Sequence, residues 1–480
     1  MLLLSNIKKY KILYSICFLY LIVYLILGIV RHNHFGSYGY DLGIDDQIVW
    51  KYSHFQLPIT TIDDTPYMLS LTNHVELIYV LLAPFYWIWS DVRMLIILQA
   101  VVTVFSAIPL YLVARKHQIN PLLSYVLLLS YLTFYGVQHA LWFDVHSTPF
   151  GASFLSWFLY ALDGKRWRMA SLAFVLTVLS KENFALLTGL VSVVHFITTR
   201  NKQSLFFALA SFGYLVFIFS IYFPFFVAGG YHYQARSGLL TQISWDNLYN
   251  THEKKEVLLY SLLSFGFLPL MVPLYLLPFF GSLGSYFILG REVLTAQGLF
   301  LQYRIELAPL ICFATIIAIR RYHGLNTKYT ALYLLCCVLL IQYALHLPLS
   351  YVTKQWFWRE PASVKDLRFV LTALPADASV VSQNNITPHI SHRNDIFTLW
   401  PENKHFPTNS PCGKEYCRWF SWGGKPSYMI VDTSKRWDIR HFLTNRKDYL
   451  EGLANLEKSG FVKKIKQRNT VVLYHIVKKI

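Results

Sequence analysis

Long runs of uncharged, mostly apolar residues recur along this 480-residue chain and limit its fold more than any other feature. The first run, Ile12 to Val30, has nineteen residues and follows a lysine-rich start. About 20 apolar residues are needed to cross the hydrocarbon core of a bilayer. Over the whole chain 55% of the residues are hydrophobic and only 14% are charged, which excludes a soluble globular protein of this size. The sequence therefore predicts a polytopic α-helical membrane protein.

Clusters of cationic residues separate the apolar runs and predict their orientation, because short cytoplasmic loops are enriched in Lys and Arg. These clusters are Lys8/Lys9/Lys11, Arg115/Lys116, Lys165/Arg166/Arg168, Arg200/Lys202 and Arg320/Arg321. If all of them are cytoplasmic, an even number of helices separates each cluster from the next. About eleven transmembrane helices satisfy this condition, with a cytoplasmic N-terminus. They are predicted near residues 12–30, 92–114, 121–139, 148–162, two within 168–199, 204–227, two within 257–289, 304–319 and 332–349.

Two segments depart from a simple spanning helix. The run 168–199 contains Lys181-Glu182-Asn183 and would overrun the bilayer as one helix, so we expect two short helices that meet at these residues. The run from Val75 to Trp89 has only fifteen residues and contains an acid, so we expect it to lie in the outer interface. Residues 31–91 then form the first external loop.

Near residue 366 the long apolar runs end, and the sequence pattern becomes that of a soluble α/β domain. Short apolar runs at 379–381, 427–432 and 470–476 predict strands, and 447–458 predicts an amphipathic helix. The predicted organisation is a membrane domain over residues 1–350 and a small external α/β domain over residues 353–480.

The formal net charge is +17, and residues 353–480 hold 21 Lys and Arg against 11 Asp and Glu. A basic domain beside a membrane favours anionic lipid or a phosphate-bearing substrate. We do not expect nucleic acid as a partner, because no nucleic-acid motif accompanies the charge. If this domain is external, and therefore in an oxidising compartment, we predict a disulfide between Cys412 and Cys417.

Polar residues that are scattered in sequence fall on the external side of the predicted topology. They are Asp41, Asp45, Asp46 and His74 in the first loop, Asp144 and His146 after the third helix, Lys181 and Glu182 between the fifth and sixth helices, and Tyr303, Arg304 and Glu306 at the tenth. Ionisable residues at membrane depth are costly and are usually functional. We therefore predict one polar cavity that these residues share.

Each cluster also has a plainer interpretation. The acids of the first loop suit a solvated loop, Asp144 and His146 suit a capped turn, and Lys181 and Glu182 suit a pair that only supports a helix turn. Convergence of several clusters on one face favours a functional cavity over separate coincidences.

The residue types suit glycosyl transfer from a lipid phosphate. Such a reaction needs a carboxylate that takes a proton from the acceptor hydroxyl and a cation or metal that neutralises the leaving phosphate. Lys181 and Arg304 are candidates for binding the phosphate. Asp46, Asp144 and His146 are candidate ligands of a divalent ion such as Mg²⁺ or Mn²⁺.

Several motifs resemble, in order, the bacterial membrane-protein family called domain of unknown function 2079, over about residues 36–475. The motifs are Tyr40-Asp41-Leu42-Gly43-Ile44-Asp45-Asp46, Asn73-His74, Pro84-Phe85-Tyr86, Gln99, Pro109-Leu110-Tyr111, Phe143-Asp144-Val145-His146, Ser180-Lys181-Glu182-Asn183, the segment 374–380 and the segment 387–393. The chain differs from the pattern at Asp45, where an aromatic is usual, at Asn183, where an acid is usual, and at Gln302, where a histidine often precedes the tyrosine.

This family is similar to the C-type (GT-C) glycosyltransferases, and the resemblance implies a set of roles. It implies a catalytic acid in the first external loop, a polyprenyl-phosphate sugar as donor, and often a soluble external C-terminal domain. Asp41 is then the expected general base, with Asp46 or Asp144 as a second acid. His74, His146, Lys181, Glu182, Tyr303 and Arg304 are the expected substrate-binding residues.

The resulting hypothesis is a multi-pass enzyme of the bacterial inner membrane with a periplasmic or extracellular C-terminal domain. It would transfer a hexosyl or pentosyl group, with inversion, from a polyprenyl-phosphate donor to a glycan, lipid or protein acceptor. A transporter or lipid-handling protein without catalytic activity is the alternative. An inverted internal repeat would favour transport, and none is evident in the sequence.

Overall fold

The computed structural model describes residues 10–62, 67–227, 249–287, 298–399, 420, 424–434 and 446–477. The chain divides into two compact units. Unit 1 consists of Met1–Gly28, Leu71–Leu81 and Ile96–Lys354, and unit 2 consists of Ile29–Ser70, Leu82–Leu95 and Gln355–Ile480. Cys412 and Cys417, the predicted disulfide, lie outside the described residues.

The described part of the chain before residue 355 is almost entirely helical. Its helices are α1 (Lys11–Asn33), α2 (Ile44–Ser53), α3 (Ile78–Leu82), α4 (Arg93–Lys116), α5 (Pro121–Leu132), α6 (Tyr135–Trp142), α7 (Ser147–Asp163), α8 (Trp167–Ser180), α9 (Asn183–Thr199), α10 (Lys202–Phe226), α11 (His252–Leu263), α12 (Leu277–Phe287), α13 (Gln302–Arg321) and α14 (Lys328–Ala344). The two-residue strands β1 (Ile59–Thr60) and β2 (Met68–Leu69) pair antiparallel in unit 2.

Four of the described helices, α1, α4, α10 and α13, are long and apolar enough to cross a membrane. The α5–α6 pair adds a fifth span if its 43° bend is counted within one crossing. The helices α8, α9 and α14 are apolar but shorter. Helices are present in each predicted apolar run, whereas length and composition support four or five spans among the described residues, not the predicted eleven.

Local sequence explains the breaks between these helices. The predicted interruption of 168–199 is observed, since α8 ends at Ser180 and α9 begins at Asn183. Two prolines interrupt the run at 257–289, where the 3-10 turns Leu268–Met271 and Pro273–Leu276 separate α11 from α12. The helix α3 continues only as a 3-10 turn to Trp87, too short to cross ~30 Å of hydrocarbon.

Residues after 355 build a five-stranded mixed sheet with the strand order β4-β3-β5-β7-β6. The elements are α15 (Gln355–Trp358), α16 (Ala362–Leu371), β3 (Val380–Ser382), β4 (Ile396–Thr398), β5 (Tyr428–Asp432), α17 (Arg446–Lys458), β6 (Val462–Arg468) and β7 (Val471–Ile476). β3 runs parallel to β4 and β5, and β7 pairs antiparallel with β5 and β6. The predicted strands and the helix at 447–458 are therefore present.

A buried apolar layer covers each face of this sheet. On one face Val364, Leu367 and Val370 of α16 recur every three residues and pack against the strands. On the other face Leu453 and Leu456 of α17 do the same. The strand β3 lies between both layers, which is why its residues are buried on both sides.

The Asp41 motif of the first loop is held by the C-terminal residues of unit 2. It forms a π-helical turn, Gly39–Gly43, just before α2. The Gly39 amide donates to the Asn384 carbonyl at 2.7 Å, and the Tyr40 amide donates to Asn384 Oδ1 at 3.0 Å. A Cβ at position 39 would lie 2.7 Å from the Thr387 side chain, so the contact requires glycine.

We expect Gly39→Ala to push this turn away from Thr387 and to destabilise unit 2 by roughly 1–3 kcal/mol, as overpacking does in other interiors. Gly43→Ala is the matched control, because its Cβ would meet Thr387 at an ordinary 3.4 Å. Thermal unfolding of the purified variants in detergent measures the difference. Equal melting temperatures for the two variants would contradict the tight contact.

Candidate functional site

The structure distributes the predicted site residues over both units. Asp41 and Asp46 belong to unit 2. The remaining predicted residues belong to unit 1, and they are His74, Asp144, His146, Lys181, Glu182, Tyr303 and Arg304. The break between α8 and α9 brings most of this second group together. We call the cluster of His74, Glu76, His146, Lys181, Glu182 and Tyr303 the helix-break site.

Glu182 lies at the bottom of the helix-break site, where its side chain is only 3% exposed. One carboxylate oxygen lies 2.7 Å from His74 Nδ1, and the other accepts from the Val75 amide at 3.1 Å. Burial alone would raise the pKa of the Glu182 carboxyl, but the charge and hydrogen bond of His74 and the nearby Lys181 outweigh it and lower the pKa to about 2. Glu182 is therefore ionised and fixes the position of the His74 ring and of the Val75 amide.

Lys181 is the cation of the site. Its Nζ lies 3.7 Å from Glu76 Oε1 and 5.4 Å from the centre of the Tyr303 ring. Its side chain is 11% exposed, against 18% for Glu76 and 19% for His74. Three ionisable groups thus lie together with limited access to solvent, where charge interactions are stronger than in water.

His146 enters from the turn that precedes α7. Its amide donates to Gln99 Oε1 at 2.9 Å, and its Nε2 lies 3.2 Å from the Gln302 side-chain nitrogen. An amide nitrogen only donates, so in this orientation His146 Nε2 accepts the hydrogen bond. The neighbouring Ser147 hydroxyl donates to Glu76 at 2.6 Å. The unusual Gln302 thereby takes part in orienting His146.

Behind the site, Glu306 is completely buried and accepts three hydrogen bonds. The donors are Asn183 at 2.7 Å, Tyr286 at 2.8 Å and Ser282 at 3.0 Å. This explains the amide at position 183, where relatives are expected to have an acid. A carboxylate at position 183 would replace this donor with a second acidic group beside Glu306.

Arg304 and Asp144 are more completely buried than residues that bind a substrate are expected to be. Arg304 is 1% exposed, its Nε donates to the Gly298 carbonyl at 3.0 Å, and its guanidinium lies over the rings of Tyr286 and Phe287. Asp144 is 2% exposed. Of the two predicted phosphate ligands, Lys181 is therefore the more accessible one.

In unit 2, Asp46 is fully buried and its two oxygens accept from three side chains. These are the hydroxyls of Tyr86 and Ser391 and, at 3.1 Å, His392 Nε2. Such contacts suit a structural carboxylate that joins α2 to the C-terminal residues. Asp41 is half-buried in its π-helical turn, and Asp45 is 6% exposed in the first turn of α2.

The predicted metal ligands do not form a metal centre in the structure. Among the described residues, no group of three or more His, Cys, Asp or Glu side chains is placed to hold a metal ion. Asp46 already accepts three hydrogen bonds, and His146 Nε2 faces Gln302. Dependence on a divalent ion therefore stays a prediction, and no step is assigned to it.

Sequence reasoning did not assign two residues that shape the site, Glu76 and Ser147. Glu76 had a visible signal, because it is a lone acid in an apolar run. Glu306 was predicted as part of the polar cavity, and Gln302 was noted only as a departure from the family pattern. Ser147 had no such signal in the sequence, because serine is common at the start of a helix.

Residues 31–410 match the model of the family described as "Predicted membrane protein (DUF2079)". No curated protein matches the sequence. The fold is similar to the crystal structure of ArnT from Cupriavidus metallidurans bound to undecaprenyl phosphate, with a TM-score of 0.53 and 13% sequence identity. The match covers 97% of this chain and 98% of that one. ArnT is a GT-C glycosyltransferase, so the predicted resemblance to this fold is confirmed.

The pair formed by His392 and Asp46 predicts a pH-dependent stability. Burial alone would lower the pKa of His392, but Asp46, through its charge and hydrogen bond, and Asp91 outweigh burial and Arg393, and they raise it. Protonated His392 stabilises the fold fully below the ordinary pKa of 6.5, and this contribution is lost as pH rises through the raised pKa.

We therefore expect His392→Gln to lower stability by roughly 1–2 kcal/mol at pH 5.5 and by less at pH 9. Melting temperatures of the wild type and the variant across this range measure the gap. His252→Gln, at a histidine whose side chain is 81% exposed, is the control. A gap that widens with pH would refute the pairing.

Proposed function

Because the chain belongs to the family described as "Predicted membrane protein (DUF2079)" and its fold is similar to that of a GT-C glycosyltransferase, we propose that it is an integral-membrane glycosyltransferase. Its donor is a sugar linked to a polyprenyl phosphate, and its acceptor lies outside the cytoplasm. The lipid part of this proposal is supported by undecaprenyl phosphate, which is bound in the similar ArnT structure.

The observation that carries the proposal is the position of Lys181. An ammonium group at a break between two apolar helices, with 11% of its side chain exposed, suits a phosphate at the end of a lipid chain. Glu76 at 3.7 Å holds the ammonium without enclosing it. When a donor phosphate arrives, it competes with this carboxylate for Lys181.

His74 supplies a second polar group at the site. Glu182, 2.7 Å from its Nδ1, holds the imidazole ring in place. Lys181 neutralises the charge that develops on the leaving phosphate, which is the largest electrostatic demand of the reaction, and His74 offers a hydrogen bond beside it. Tyr303, whose ring lies beside Lys181, provides an apolar surface for the sugar or the lipid.

The reaction we propose is a single displacement with inversion. The Asp41 carboxylate takes the proton of the acceptor hydroxyl, and the acceptor oxygen bonds to the anomeric carbon. The bond from that carbon to the phosphate oxygen breaks, and its electron pair leaves with the polyprenyl phosphate. The motif resemblance supports Asp41 in this role, and the network around Asn384 supports a defined backbone there.

In the same proposal residues 1–350 form the membrane domain and residues 353–480 form an external domain. The protein lies in the bacterial inner membrane with a cytoplasmic N-terminus. Eleven crossings, of which some are short or broken helices, would leave the five cationic clusters in the cytoplasm.

Binding of the lipid phosphate tests the role of Lys181. We expect Lys181→Ala to weaken binding of undecaprenyl phosphate by the purified protein in nanodiscs by roughly 10–100-fold, the value of one charge-assisted hydrogen bond. Lys181→Arg keeps the charge and should retain part of the affinity. Lys202→Ala, at an exposed lysine that begins α10, is the matched control. Unchanged affinity in Lys181→Ala would exclude this phosphate site.

Turnover tests the enzymatic part separately. We expect Asp41→Asn to slow sugar transfer from a panel of polyprenyl-phosphate hexoses and pentoses by ~10²–10⁴-fold, as loss of a general base does. Lipid binding should be unchanged. Asp377→Asn, at an exposed aspartate of the same unit, is the control. Wild-type protein that binds the lipid but transfers no sugar would instead support the lipid-handling alternative.

A further inference from the structure

A groove with a cationic rim lies at the C-terminal end of α13, in unit 1. It encloses about 390 Å³. Val272, Leu274, Tyr275 and Ile317 form its apolar walls, and Arg320 and Arg321 lie at its edge. None of these residues belongs to the helix-break site. The groove is therefore a second site that glycosyl transfer does not explain.

The groove exists because the backbone between α11 and α12 is not a continuous helix. The 3-10 turn Leu268–Met271 ends at Val272, whose φ of −132° and ψ of 63° are not helical, and Pro273 begins the next 3-10 turn. At membrane depth, irregular backbone is tolerated where protein buries it or where it lines a cavity. A lipid that fills the groove would cover this segment.

The two arginines carry charge that the described part of the protein does not neutralise. No carboxylate among the described residues forms an ion pair with Arg320 or Arg321, and both are exposed. Among the described residues, Arg321 lies over the ring of Tyr322, 5.8 Å from the ring centre. The cationic cluster at Lys116 differs, because its Nζ lies 2.7 Å from Asp163. An uncompensated pair of guanidinium groups beside an apolar groove suits an amphiphilic anion.

The apolar surface also continues beyond the groove. Tyr275 contributes to a second, narrow cavity whose other walls include Leu159, Val191 and Phe313. A hydrocarbon chain that enters along Leu274 would thus meet further apolar surface. A free phosphate ion would use the arginines but gain nothing from these walls.

We propose that this groove binds an anionic phospholipid. Its phosphate lies against Arg320 and Arg321, and one acyl chain follows Val272, Leu274 and Ile317. Basic pockets between transmembrane helices bind anionic headgroups in this way. The proposal is independent of sugar transfer, since it requires neither Lys181 nor Asp41.

The experiment uses the full-length protein in nanodiscs of phosphatidylglycerol and phosphatidylcholine in equal parts. Native mass spectrometry counts the lipids that stay bound after the bilayer is removed. We expect phosphatidylglycerol to be retained over phosphatidylcholine by about 10-fold, and the double variant Arg320→Gln/Arg321→Gln to lose this preference. The double variant Lys202→Gln/Lys328→Gln removes two exposed positive charges elsewhere and should keep it.

A second variant separates the groove from simple surface charge. Leu274→Asp leaves both arginines in place but puts an acid in the apolar wall, at a residue that is 38% exposed and so tolerates the change. We expect Leu274→Asp to lose the preference for phosphatidylglycerol as well. If the double arginine variant does not fold, Leu274→Asp still tests the proposal. Equal retention of both lipids by the wild type overturns the proposal. So does displacement of the lipid by millimolar inorganic phosphate, which would identify a site for free anions.

Discussion

A buried carboxylate must be compensated by nearby positive charge and hydrogen bonds. In unit 1 the compensated carboxylate is that of Glu182, and the candidate site is built around it. Glu182 sits where α8 and α9 break, and it binds both His74 and the Val75 amide. The segment 71–81 is thereby tied to a helix junction more than 100 residues later in the chain. Without Glu182, the Val75 amide and His74 Nδ1 would both lose this hydrogen-bond partner at the helix break.

Unit 2 follows the same rule with a different carboxylate. Asp46 at the start of α2 accepts from Tyr86, Ser391 and His392, which come from two separate stretches of sequence. The Gly39–Gly43 turn that contains Asp41 is held by hydrogen bonds from the Gly39 and Tyr40 amides to Asn384. Two acids of one motif, Asp41 and Asp46, therefore have different environments. Asp46 is fully buried and accepts three hydrogen bonds, whereas Asp41 is half-buried.

The sequence predicted much of this architecture and less of the chemistry. The interruption at Lys181-Glu182, the short segment at Val75 and the strands at 380–382, 428–432 and 471–476 all follow from local hydropathy and residue type. The number of transmembrane crossings does not follow from the same local signals. Only four or five described helices have the length and composition of a span. Charge clusters constrain the parity of crossings, but they do not determine where a helix bends or ends.

The sequence by itself determined that this is a helical membrane protein with a small C-terminal sheet, because apolar run length and period are local properties. It also identified most of the polar residues of the site, because charge at membrane depth is costly wherever it occurs. Only the tertiary structure decided their partners. His74 pairs with Glu182, Lys181 with Glu76, and Asn183 with Glu306, across separations of up to 123 residues. Such pairings depend on how helices pack, and no local pattern encodes them.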